Sequence, residues 1–181
     1  YEQLERLLTG DYATEERILL DVEVIKEDGS KHYLAVNDAV VARGQLSKTI
    51  DLHLSLDGDE ISKYRADGLL FATPTGSTAY SLSAGGPILA PKMECILMTP
   101  VCPHSLFSRS VLFSGESELS VHVKIPEECC CVLTIDGEKN VPILATDRVV
   151  IRKSDLKLKL ALLHNRNFYK LLNEKLKERD F

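Results

Sequence analysis

The 181-residue sequence has no basic excess: 22 Lys and Arg stand against 27 Asp and Glu, for a formal net charge of -5 and a pI of about 5.6. Proteins that live on nucleic acid or anionic lipid draw most of their affinity from a basic surface, so neither class is expected as a partner. No apolar stretch approaches the roughly 20 residues needed to span a bilayer, and no charged-then-apolar leader opens the chain. A cytoplasmic protein without membrane contact is the expectation. Its five cysteines, Cys95, Cys102 and the run Cys129 to Cys131, form no CxxC pair and have no His at zinc-ligand spacing. They read as reduced thiols, the run as small apolar residues at a strand start, with a redox role as the other reading.

The composition, 44% hydrophobic and 27% charged, is that of an ordinary globular protein rather than a disordered one. At this length one domain buries roughly 70% of its unfolded surface and needs no staple. A single domain over residues 1–181 is therefore expected. Leu4, Leu7 and Leu8 before Gly10 predict a short N-terminal helix, and Phe168, Leu171, Leu172 and Leu176 predict a C-terminal one. Between them the period is two: Ile18 to Val24, Ile50 to Leu56, Leu119 to Ile125 and Leu156 to Leu162 alternate, with Asp28-Gly29, Asp57-Gly58 and Asp136-Gly137 as turns. Many short strands with helices only at the ends predict a mainly β fold, a multi-stranded β-sandwich.

One stretch does not read as scaffold. Arg65-Ala66-Asp67-Gly68 leads through apolar residues into Thr73-Pro74-Thr75-Gly76-Ser77-Thr78-Ala79-Tyr80-Ser81-Leu82-Ser83-Ala84-Gly85-Gly86-Pro87. The glycines permit close backbone approach, and the hydroxyls of Thr75, Ser77, Thr78, Ser81 and Ser83 suit phosphate, sugar or base edges. A nucleotide fits such a loop, and so does a plain polar surface turn. It is neither a Walker A motif, since no Lys-Ser/Thr follows the glycines, nor the dinucleotide fingerprint, which opens a βαβ unit.

These residues resemble the signature of the NAD kinase family. Asn37-Asp38 resembles its Asn-acidic motif, Thr99 to Leu106 its TPICPHSL segment, Thr134 to Glu138 its DGQ turn, and Phe168 to Leu176 its closing helix. The resemblance implies the C-terminal NAD-binding β domain of a bacterial-type enzyme that moves a phosphoryl group from ATP, or polyphosphate, to the 2′-hydroxyl of the adenosine ribose of NAD, with a divalent metal such as Mg2+. It also implies a homodimer or homotetramer. Carried across position by position, Asn37 and Asp38 would hold the ribose diol, Arg65 would meet the 2′-phosphate, and Lys48 would touch the dinucleotide. Thr75, Thr78, Ala79, Tyr80 and Ser83 would wall the adenine and diphosphate. Asp67 would reach the nicotinamide amide, often from a neighbouring subunit, while Cys102 and His104 would line the second adenine site. Glu138 stands where the family has Gln, replacing a donor and acceptor by an acceptor alone.

The family's catalytic base is the Asp of a GGDGT motif in an N-terminal Rossmann-like domain, and no GGDGT occurs in these 181 residues. No catalytic residue is therefore assigned here, and the chain alone is expected to be inactive. The other reading is a non-catalytic nucleotide-binding module or sensor using the same pocket.

Overall fold

The computed structural model describes residues 1–44, 49–104, 109–124, 130–163 and 167–177, the last stretch with side chains through residue 175. Its contacts divide into a larger unit, Ile18–Lys157, and a smaller one made of Tyr1–Arg17 and Leu158–Phe181. In the smaller unit, helix α1 (Glu2–Thr9) is closed by Gly10 at φ 75, the left-handed conformation that glycine adopts without a Cβ penalty. Helix α3 (Phe168–Lys177) starts where the Asn167 side chain accepts from the Tyr169 and Lys170 amides at 2.9 and 3.4 Å, a cap on otherwise orphaned donors. Both terminal helices stand where helical spacing predicts them.

The remainder is mainly β, as expected from the alternation. One six-stranded sheet has the order β2 (Gly29–Ala35), β1 (Ala13–Lys26), β12 (Arg148–Leu162), β9 (Leu119–Lys124), β4 (Ile50–Leu56), β5 (Asp59–Ala66). The other runs β11 (Lys139–Ile143), β10 (Cys131–Ile135), β3 (Asp38–Arg43), β6 (Gly68–Ala72), β7 (Cys95–Val101), β8 (Val111–Ser114). All the registered pairs are antiparallel. Alternate residues of both sheets share one core: Leu20, Val22, Leu52, Leu54, Val121 and Val149 from the first meet Val41, Leu69, Phe71, Ile96, Met98 and Leu133 from the second. Burial of this apolar surface is the main favourable term for such a sandwich.

Asp57-Gly58 makes the expected two-residue hairpin turn, at φ 50 and 95. Asp136-Gly137, at φ 49 and 72, shares a three-residue turn with Glu138, since Ile135 pairs with Lys139. The first hairpin departs from the expected Asp28-Gly29: Lys26 pairs with Gly29, so Glu27 and Asp28 make the turn and Gly29, at φ 130, opens β2. Asp67-Gly68 is different. It passes the chain from β5 of one sheet to β6 of the other, and a Cβ on Gly68 would lie 2.7 Å from the Val41 carbonyl oxygen. The pair is a corner rather than a turn because the backbones are too close for any side chain.

The second sheet is covered on its other face as well. Val40, Leu70, Ala72, Cys95 and Leu97 form a separate cluster with Leu89. Leu89 lies two residues past the hydroxyl-rich stretch and its amide donates to the Ser77 hydroxyl at 3.1 Å, so the stretch lies on this outer face. Helices do not stop at the chain ends: Gly76–Thr78 makes a 3-10 turn and Tyr80–Ser83 a one-turn helix, α2. This departs from the expected plain loop. The reason is local, since Ser77 donates to the Pro74 carbonyl at 2.7 Å and the Ala79 amide donates to the Gly76 carbonyl at 2.9 Å.

Candidate nucleotide site

The hydroxyl-rich stretch divides by direction. Thr73, Ser77 and Ser81 are fully buried, and their hydroxyls are spent on the fold: Thr73 on the Val36 carbonyl at 2.7 Å, Ser77 as acceptor for the Leu89 amide at 3.1 Å, Ser81 with Thr99 at 3.2 Å. Gly86 packs against Ser81, where a Cβ would meet its Oγ at 2.3 Å. Ser77 and Ser81, read from sequence as ligand groups, are thus structural. Thr78, Ala79, Tyr80 and Ser83 face outward, and Thr75 is half-buried.

Beside Ala79 and Tyr80 a cavity of about 430 Å³ opens along the outer face of β3 and β10, lined also by Asn37, Asp38, Val40, Ala42, Thr134, Asp136 and Gly137. Four predicted residues, Asn37, Asp38, Ala79 and Tyr80, meet in it. Val40, Ala42 and Thr134 line it too; they sit on the outward face of strands whose inward residues fill the core, and no motif marks Val40 or Ala42. Asp38 is 4% exposed, and among the described residues its carboxylate has no hydrogen-bond or ion-pair partner. Burial, and then the charge of Asp136, push its pKa up to about 6. A buried carboxylate with unused acceptors is costly for the fold and available to a donor such as a sugar hydroxyl.

Asp136 has a task beyond its turn. Its carboxylate accepts from three successive amides, Val36, Asn37 and Asp38, at 2.8, 2.7 and 3.0 Å. Across the same segment the Thr73 amide donates to the Asn37 carbonyl at 2.9 Å. Gly76 abuts it so closely that a Cβ would lie 2.0 Å from the Asn37 oxygen.

Other predicted residues gather at the β5–β6 corner. Arg65 pairs with Asp51 across β4 and β5 through Nε and Nη2 at 2.9 and 3.1 Å. Asp67 takes Arg43 in the same forked way, at 2.7 and 3.3 Å. The Asp67 amide donates to the Val101 carbonyl, and the His104 amide to the Arg65 carbonyl at 2.8 Å, placing exposed Cys102 and His104 beside that corner. Strand β3 links the groups: Asp38 begins it in the cavity and Arg43 ends it at the corner, roughly 17 Å apart at the usual strand rise. Glu138 follows Gly137 in the turn at the rim, its amide bonded to the Ile135 carbonyl at 3.0 Å. Lys48 lies outside the described residues.

Among the described residues no three His, Cys, Asp or Glu side chains are gathered as a metal site. A second cavity, about 710 Å³, lies on the other sheet, where Asp21, His32 and Arg152 mix both signs of charge. No helix among the described residues is long and apolar enough to cross a membrane.

The chain is similar to known proteins over nearly its whole length. An NAD kinase of Natranaerobius thermophilus is 40% identical over 174 residues, 96% of this chain and 60% of that protein. An NAD kinase of Caldanaerobacter subterraneus is 39% identical over 180 residues, 99% of this chain and 63% of that protein. This chain therefore spans about three-fifths of the length of those relatives. Yeast NADH kinase, solved with NADH, superposes with a TM-score of 0.88 at 26% identity over 99% of this chain and 55% of its own. An Archaeoglobus fulgidus NAD kinase, solved with ATP, gives 0.79 at 26% identity, covering 97% and 65%. Residues 36–163, which hold Asn37, Asp38, the hydroxyl-rich stretch and Asp136, match the model of the ATP-NAD kinase C-terminal domain, and the chain belongs to that family.

Proposed function

We propose that this chain is the dinucleotide-binding part of an NAD kinase, a protein that transfers a phosphoryl group from ATP to the 2′-hydroxyl of the adenosine ribose of NAD. One observation carries the reading: a buried carboxylate with no partner among the described residues, Asp38, beside Asn37 in the lining of an open cavity. Vicinal hydroxyls donate to such a carboxylate and can accept from such an amide. Tyr80 and Ala79 offer an aromatic ring and a small neighbour to adenine, and Thr75, Thr78 and Ser83 offer hydroxyls to the diphosphate. Solved relatives described as bound to NADH and to ATP support the same ligand class.

Arg65 and Asp67 do not line this cavity. We assign them to the nucleotide of a second copy, the guanidinium to the 2′-phosphate and the carboxylate to the nicotinamide amide, with Cys102 and His104 lining the second adenine site; Glu138 stays at the rim of the Asp38 cavity. Phosphoryl transfer depends on positioning and charge stabilisation. The catalytic Asp of the family that the sequence resembles lies in a GGDGT motif, and these 181 residues hold none, so this chain binds the acceptor and makes no NADP by itself. Calorimetric titration with NADP tests the reading. Saturable binding that is lost in Asn37→Ala and in Tyr80→Ala, with ATP binding more weakly, is the expected result; no binding, or binding indifferent to both changes, refutes it.

A further inference from the structure

Val36, Asn37 and Asp38 carry six main-chain hydrogen-bonding groups, and two residues distant in sequence satisfy all six. Their three N–H groups donate to the Asp136 carboxylate. The Val36 carbonyl accepts from the Thr73 hydroxyl, the Asn37 carbonyl from the Thr73 amide, and the Asp38 carbonyl from the Asp136 amide at 2.9 Å. Thr73 is held in turn, because its Oγ1 accepts the Gly76 amide at 3.0 Å. Strand ladders do not bond this way. Three amides converging on one carboxylate are charge-assisted bonds, about twice as strong as neutral ones, and they are placed under the two residues that present side chains to the cavity.

The geometry points to Asp136 and Thr73 as positioning residues for nucleotide recognition: they clamp the main chain of Val36 to Asp38 from both sides, so that the ligand meets Asn37 and Asp38 already fixed. This rests on the dinucleotide reading above and deepens it. Groups fixed before binding lose less entropy when the ligand arrives, which is the general source of affinity by preorganisation. Asp136 has a second effect, because its charge stands beside Asp38. Among the described residues, the titratable groups that line the cavity with Asp38 are Asp136 and Tyr80. Removing the Asp136 charge while keeping its shape therefore lets Asp38 ionise at lower pH.

The test is titration of the full chain with NAD, whose diphosphate stays ionised between pH 5 and 8, alongside urea unfolding of each variant. In the unmodified chain, affinity is expected to fall as pH drops through about 6, where Asp38 takes up a proton and becomes a weaker, uncharged acceptor for the ribose. Asp136→Asn puts an NH2 group against an amide donor; NAD binding is expected to weaken roughly tenfold or more at neutral pH, with the inflection moved to lower pH. Thr73→Val is expected to weaken binding and Thr73→Ser to restore it. A role in folding alone would shift the urea midpoint and leave the inflection in place. Undiminished NAD affinity in Asp136→Asn, or an inflection still near 6, overturns the proposal. Should that variant not fold, undiminished binding by Thr73→Val overturns it equally. No saturable binding by the unmodified chain overturns the dinucleotide reading itself, and the inference with it.

Discussion

Asp38→Asn should make the chain more stable while making it a worse binder. The Asp38 carboxyl is raised from 3.8 to about 6 by burial and by the Asp136 charge. A rise of roughly 2 pH units is worth about 3 kcal/mol at 1.36 kcal/mol per unit. The sign follows from proton linkage: between the two values the folded chain holds more protons than the unfolded one, so stability falls as pH rises through that window. The carboxylate costs little below about 4 and its full amount above about 6. Asn has the same shape and no charge, and its stabilising effect should be about 3 kcal/mol at pH 8 and about half that near pH 5. Urea unfolding at pH 5, 6.5 and 8 measures this directly. A variant no more stable than its parent at pH 8, or a gap that does not shrink toward pH 5, would refute the reasoning. A binding group held at the expense of stability is a recurrent feature of functional sites.

Gly76→Ala should lower stability by about 1–3 kcal/mol, as overpacking does, and should abolish NADP binding, since its Cβ would displace the Asn37 carbonyl; thermal unfolding and the same titration report both. Arg65→Ala should leave the unfolding midpoint nearly unchanged, because its pair with Asp51 is an exposed cross-strand contact. In an oligomeric preparation the same change should reduce NADP affinity more than NAD affinity, and an equal loss for both would remove Arg65 from the 2′-phosphate.

Legibility in the sequence followed burial. Strand β4 could be read because Ile50, Leu52 and Leu54 are buried while Asp51 and His53 between them are half-buried. Strands β3, β6 and β7 had no alternation to read, since Gly68 to Ala72 and Cys95 to Pro100 are buried on both faces, one against the sandwich core and the other against the hydroxyl-rich segment. The site was legible as a motif but not as a division of labour: identical hydroxyls at Ser77 and Ser83 point to the interior and to solvent. Asp136 is the clearest case. Its Asp-Gly pair marks a hairpin locally, whereas its hold on amides about 100 residues away depends on β10 lying beside β3, a pairing that no local pattern records.

The central claim is tested most directly by a crystal structure of the chain with NAD. The account predicts the adenosine ribose in the cavity, with a hydroxyl within hydrogen-bond distance of the Asp38 carboxylate, the Asn37 amide beside it and the adenine against Tyr80. NAD seated instead in the groove of His32 and Arg152, with Asn37 and Asp38 free of ligand, would contradict it.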